Sequence, residues 1–146
     1  MFKCSTFIFR ILPSIVIQSR NTLVHLIADG NLLNENSFNM PIFPRLRTLS
    51  IDVNRVRDVF ALLRNLRRCC PQLTSISLIG NPGWCPSVCP RNQQLSKKYR
   101  AAALSMLPHL HSIDAKSTRV FRRNSRMSIS SCASHSTLST NTQESQ

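Results

Sequence analysis

The sequence predicts an α/β fold in which strand–turn–helix units lay short strands side by side, and three observations carry that prediction. The first is a phrase that occurs three times: Leu23-x-x-Leu26-x-Ala28-x-x-Asn31-x-Leu33, Leu46-x-x-Leu49-x-Ile51-x-x-Asn54-x-Val56 and Leu73-x-x-Ile76-x-Leu78-x-x-Asn81. The second is the spacing of Asn31, Asn54 and Asn81, which stand 23 and 27 residues apart. The third is the segment 58–70, where Val59, Phe60, Leu62, Leu63, Leu66 and Cys70 recur at helical spacing, with Arg64, Arg67 and Arg68 mainly on the other side.

The phrase has physical content. Its second and third apolar positions are two residues apart, so on a strand Leu49 and Ile51 point to one side and their neighbours to the other. The asparagine follows where the chain leaves the strand, and its amide supplies donors and an acceptor together. A buried polar group left unmet costs about 1–3 kcal/mol, so leucine is no substitute there. The period lies in the range of leucine-rich repeats, and a unit that cannot bury its own apolar face is stabilised by stacking. A short leucine-rich-repeat solenoid with parallel strands on a concave face is therefore expected. The competing reading is three unrelated turn asparagines beside ordinary hydrophobic strands.

Taken in order, residues 1–22 form an atypical apolar flank. Phe7, Ile8, Phe9, Ile11, Leu12, Ile15, Val16 and Ile17 are interrupted by Arg10 and Pro13. The run is too short and too charged for a spanning helix, so no transmembrane segment is expected. Arg10 also breaks the centre of a secretory signal, although Lys3 precedes it; a strand-forming flank over the first unit is the preferred reading. Residues 23–116 hold the repeats and a terminal cap. In the helix of 58–70, Asp58 suits the positive end of the helix dipole and Pro71 ends the run. After Gly80-Asn81-Pro82 comes a loop over 83–94, then a short helix with Tyr99, Arg100, Leu104 and Leu107, stopped by Pro108, and a last strand at Leu110-x-x-Ile113-Asp114. From residue 117 periodicity ends, and the basic, Ser/Thr-rich stretch to 146 reads as a disordered tail.

Composition narrows the function. Nineteen Lys+Arg against 6 Asp+Glu give a net charge of +13, which permits contact with nucleic acid, anionic lipid or an acidic protein. No aromatic-and-basic alternation of an RNA-binding kind occurs, which argues for solvated surface over a nucleic-acid partner. With 3 Gly and no phosphate loop, HExxH or nucleophile motif, a non-enzymatic protein without cofactors is expected. Cys85-x-x-x-Cys89 lacks the usual zinc spacing; with His109 and His111 a metal site would need a reordered loop, so none is assigned. Adjacent Cys69 and Cys70 suit a buried thiol better than a disulfide framework, in keeping with a reducing compartment.

The run Tyr99-Arg100-x-x-x-Leu104-x-x-Leu107-Pro108-x-Leu110-x-x-Ile113-Asp114 resembles the C-terminal cap of intracellular leucine-rich repeats of the protein phosphatase regulatory and spliceosomal A-prime type. Together with Leu78-Ile79-Gly80-Asn81, Cys85-Pro86 and Ile113-Asp114-Ala115, it resembles the leucine-rich melanocyte differentiation-associated family over residues 23–122. That resemblance implies a cytoplasmic interaction protein, a scaffold in melanocyte differentiation and pigmentation, with a protein partner in the vesicle-trafficking machinery. It also implies that the tyrosine-arginine helix closes the hydrophobic interior. A spliceosomal-type RNA-protein adaptor and a secreted leucine-rich-repeat protein are the rivals. Oligomeric state is open.

Binding is expected on the strand positions that alternate with the core: His25, Ile27 and Asp29, then Thr48, Ser50 and Asp52, then Ser75, Ser77 and Ile79. The alternative is that they are polar because they meet water. Charge reversal at Asp29 and Asp52 is expected to weaken partner capture without unfolding. Arg122-Arg123-x-Ser125 makes Ser125 a candidate phosphosite for a basophilic kinase, against plain disorder of the tail.

Overall fold

A computed structural model describes residues 2–3, 9–84 and 93–118. The strands are β1 (Phe2–Lys3), β2 (His25–Ile27), β3 (Thr48–Ser50), β4 (Ser75–Ser77), β5 (Ser112–Ile113) and β6 (Lys116–Ser117). They lie in chain order in one sheet, parallel from β1 to β5, with only β6 antiparallel. Among the described residues three α-helices accompany them: α1 (Ser14–Gln18), α2 (Val59–Cys69) and α3 (Gln93–Met106). The fold is thus mixed α/β with a mostly parallel sheet. Each of the three sequence phrases supplies one strand.

Register follows from the phrase. Leu26 pairs with Leu49, Leu49 with Ile76 and Ile76 with Ile113, and all four side chains are at most 1% exposed. Ala28, Ile51 and Leu78 continue that interior, and Leu23, Leu46 and Leu73 close it at the strand entrances. Fully burying a leucine of this kind contributes about 1.5–3 kcal/mol, so one apolar row per strand supplies the cohesion that three-residue strands lack. α2 faces the same interior with Val59, Leu62, Leu63, Leu66 and Cys69. Its N-cap is Asp58, whose carboxylate accepts from the Ala61 N–H at 2.9 Å, and its arginines fall outward as expected.

The three asparagines are buried, and each accepts an equivalent bond from the backbone of the preceding segment. Asn54 accepts from the Leu33 N–H at 3.0 Å and donates to the Ala28 and Asp52 carbonyls at 2.9 and 3.0 Å. Asn81 accepts from the Val56 N–H at 3.1 Å and donates to the Ile51 and Leu78 carbonyls. Asn31 accepts from the Phe9 N–H at 2.8 Å and donates to the Ala28 and Asp29 carbonyls. Each amide satisfies backbone groups that the turn removes from the sheet, and each reaches into the preceding segment.

That last bond bears on the N-terminal flank. Residues 2–3 do extend the sheet as β1, but 14–18 are helical, where a strand-forming flank was expected. Pro13 explains the difference: it has no N–H for a ladder, and here it precedes α1, whose Val16 is fully buried. Phe9 occupies toward Asn31 the place that Leu33 and Val56 occupy toward Asn54 and Asn81. The chain from Phe9 onward therefore stands toward Asn31 as the later segments stand toward their asparagines.

Two further departures are local. A 3₁₀ helix at Glu35–Phe38, which the sequence reading passed over, is held by a capping box between Asn34 and Ser37 and buries Phe38. At the other end the fold passes the expected boundary at 117. Ser117 belongs to β6, and buried Thr118 donates its hydroxyl to the Leu110 carbonyl at 3.1 Å. Residues 119–146, with Ser125, and Cys85 with Cys89 lie outside the described residues.

Candidate functional site

The nine positions singled out on the strands come together as a grid on the face opposite the leucine interior. His25, Thr48 and Ser75 are neighbours across the sheet, as are Ile27, Ser50 and Ser77. Ser112 extends the first row by pairing with Ser75, a member that sequence reasoning missed because β5 belongs to no repeat of the phrase. Asp29, Asp52 and Ile79 form the third row, just past the strand ends. His25 and Ile79 are exposed and the other seven are half-buried.

The third row is more than a surface. Asp29 Oδ1 accepts from the Ser50 hydroxyl at 2.7 Å and from the Asp52 N–H at 2.8 Å. Asp52 repeats the arrangement one segment on, accepting from the Ser77 hydroxyl at 2.9 Å and the Ile79 N–H at 2.8 Å. Burial pushes the Asp52 carboxyl above its ordinary value; the bonds from Ser77 and Ile79 oppose the rise, and the carboxylates of Asp29 and Asp114 add to it. Charge reversal at Asp29 and Asp52, expected to weaken partner capture without unfolding, would therefore also break bonds within the fold. A lysine at either position would abandon two acceptor bonds that join neighbouring strands. The separation of 23 residues between the two aspartates was a legible sign, since it matches the asparagine spacing.

Gly30, Val53 and Gly80 occupy equivalent places before the asparagines, with φ of 66°, 53° and 76°. Glycine suits that left-handed backbone; a β-branched valine does not. Val53 is 63% exposed and Ile79 is 50% exposed, and the Val53 N–H donates to the Ile79 carbonyl at 2.7 Å. The two side chains place an apolar spot at the rim of an otherwise polar face.

The C-terminal end is closed by a cluster around Asp114. Its Oδ2 accepts from Trp84 Nε1 and from Arg100 Nη2, each at 2.7 Å, while Oδ1 accepts from the Leu78 N–H at 3.0 Å. Arg100 is 2% exposed and its guanidinium lies 5.3 Å from the centre of the Trp84 ring. Tyr99 stacks on the same ring at 6.1 Å and meets the edge of Phe60 at 5.4 Å. Of the cap residues quoted from the sequence, Arg100 and Asp114 meet directly, and Trp84 lies between them and Tyr99. The two-residue turn from β5 to β6 has positive φ at Asp114 (51°) and Ala115 (60°), as tight hairpins require, and it aims the carboxylate back at the cluster.

Cys69 and Cys70 are free and buried, with Sγ atoms 3.4 Å apart. The shared hydrogen bond raises the Cys70 thiol and lowers that of Cys69, and burial adds to the rise at Cys70. Among the described residues no group of three or more His, Cys, Asp or Glu is placed to hold a metal ion. Nor is any described helix long and apolar enough to cross a membrane.

A mixed α/β chain with a mostly parallel sheet, an open polar face and a closed C-terminal end is the class these features define. No family model matches the chain. Over 98 residues it is 36% identical to the leucine-rich melanocyte differentiation-associated protein of Homo sapiens, covering 65% of this chain and 48% of that protein. The chain is similar to that protein and spans about half its length, 48%.

Proposed function

We propose that this chain is a non-enzymatic leucine-rich-repeat adaptor, working in the cytoplasm, whose open strand face receives a protein partner in melanocyte differentiation. Its repeats are read as a short solenoid with that face concave. The observation that carries the reading is the grid itself. Of nine residues chosen for their alternation with the leucines, six fall into register as two rows across three successive strands, and Asp29, Asp52 and Ile79 follow just past the strand ends. The asparagine bonds repeated from segment to segment support the solenoid reading, because they give each turn the same shape. The name of the human relative supports the link to melanocyte differentiation. A partner from the vesicle-trafficking machinery belongs to the same proposal.

The face offers small hydroxyls at its centre and apolar side chains at Ile27 and Ile79. Such a surface suits a partner that lays backbone and short side chains across the strands and seats an apolar group at the edge. The experiment is affinity capture from pigment cells with the tagged chain beside an Ile27→Lys/Ile79→Lys variant. A principal captured protein should fall by about tenfold or more in the variant, equivalent to about 1.4 kcal/mol, while the melting temperature stays put. Capture indifferent to both lysines would overturn the reading.

A further inference from the structure

We infer that the opposite edge of the sheet, where the strands begin, is a second docking surface and takes an acidic peptide segment. The described carboxylates of this chain are sorted by edge, whereas arginines stand at both, Arg55 and Arg57 lying past the strand ends beside Glu35. β2 to β5 are parallel, and every described carboxylate lies past a strand end: Asp29, Asp52 and Asp114 directly, Glu35 and Asp58 at the starts of the helices that follow. The entrance edge has arginines instead. Arg45 and Arg47 flank the entry to β3, and Arg67 sits in the last turn of α2, which ends at the same side.

Those arginines line two concavities. One of about 550 Å³ is bordered by Pro44, Arg45, Arg47 and Gln72, and a second of about 350 Å³ by Gln72, Arg67, Pro108 and His109. Gln72 borders both, and no carboxylate lines either one. All three arginines are exposed, and among the described residues the only salt bridge is Arg100 to Asp114, at the other edge. Arg67 gains something from the α2 dipole, but Arg45 and Arg47 have no helix end of their own and, bordering one concavity, repel each other. An anion between them removes that repulsion and accepts from two guanidinium forks.

The shape selects a peptide among anions. Base stacking is favoured by Phe, Tyr and Trp faces, and none borders either concavity, His109 being the one aromatic ring there; Phe38 and Phe43 are fully buried, while Trp84, Tyr99 and Phe60 meet at the C-terminal cap. A membrane surface needs protruding apolar side chains, and Ile11, Ile15, Ile42, Val53, Ile79 and Leu95, the exposed large ones, are all outside the lining. What remains is a pair of concavities bordered by prolines and arginines, which fits an extended segment carrying successive carboxylates.

The test uses the full chain and a fluorescein-labelled decaglutamate peptide, read by anisotropy at physiological ionic strength. Arg45→Glu/Arg47→Glu should weaken binding by about tenfold or more, whereas Arg55→Glu/Arg57→Glu, an equal charge change past the strand ends, should weaken it less than about twofold. If the reversed pair fails to fold, Arg45→Gln/Arg47→Gln is compared with Arg55→Gln/Arg57→Gln and the same ordering is expected. Equal losses in the two pairs, or no binding by the native chain, would overturn the proposal. So would tighter, Arg45/Arg47-dependent binding of oligouridylate or of phosphatidylserine vesicles.

Discussion

Val53 is the residue whose local chemistry and position disagree most. Its neighbours in the equivalent places are Gly30 and Gly80, and all three have positive φ. A left-handed backbone costs an L-residue about 1–2 kcal/mol, and a β-branched side chain stands at the unfavourable end. Glycine would relieve that strain and lose somewhat more chain entropy on folding. Val53→Gly should therefore stabilise the protein by about 1 kcal/mol, seen as a higher urea midpoint at an unchanged slope. Gly83 is the opposite case. A Cβ there would overlap the Arg57 carbonyl, while its N–H donates to the Val56 carbonyl at 2.8 Å, so close backbone approach explains the glycine. Asp52 adds a pH dependence. Its folded pKa lies above the unfolded value of 3.8, so its contribution favours folding below that pH and is lost as pH rises through the folded value. Asp52→Asn keeps an acceptor for Ile79 and does not ionise. The melting temperature of that variant relative to the native chain should rise between strongly acidic and neutral pH, and a constant difference would contradict the assignment.

At the scale of elements, the closed end depends on one carboxylate serving three partners. Asp114 links the β5–β6 turn to β4 through the Leu78 N–H, to the loop after Asn81 through Trp84, and to α3 through Arg100. α3 needs this tether, because of its 14 residues only Ser96, Arg100 and Ala103 are buried. Arg100→Leu would leave the Asp114 carboxylate, 7% exposed, without its cation. Removing one partner of such a buried pair costs about 3–5 kcal/mol, and adding Asp114→Asn should recover part of the loss. Denaturant unfolding of the single and double variants checks both statements; additive losses would mean that the pair acts independently. At the N-terminal side β1 is the last strand of the sheet, and past β5 the sheet ends in the short antiparallel β6, which carries Lys116. Short strands and lysine are both deterrents to edge pairing.

For the whole molecule, the same geometry produces both candidate surfaces. The parallel strands β1 to β5 put their exits on one edge and their entrances on the other, so carboxylates that follow a strand gather at one edge. The leucine phrase, the asparagine spacing, the helix of 58–70 and the Tyr99-Arg100 helix were all legible in the sequence, because periodicity and turn chemistry are local. The face residues were legible for the same reason, as alternates of the core leucines. The capping box at Asn34 and Ser37, the place of Trp84, the course of residues 9–18 and the double use of Asp29 and Asp52 were not, since each depends on which segment lies beside it. By itself the sequence determined which side chains turn inward and where each strand ends, through a repeat of period two within a repeat of about two dozen residues. Only the tertiary structure decided what the polar residues do. A hydrogen bond such as Asp29 to Asp52 or Trp84 to Asp114 exists only when stacking brings segments 23 or 30 residues apart into contact.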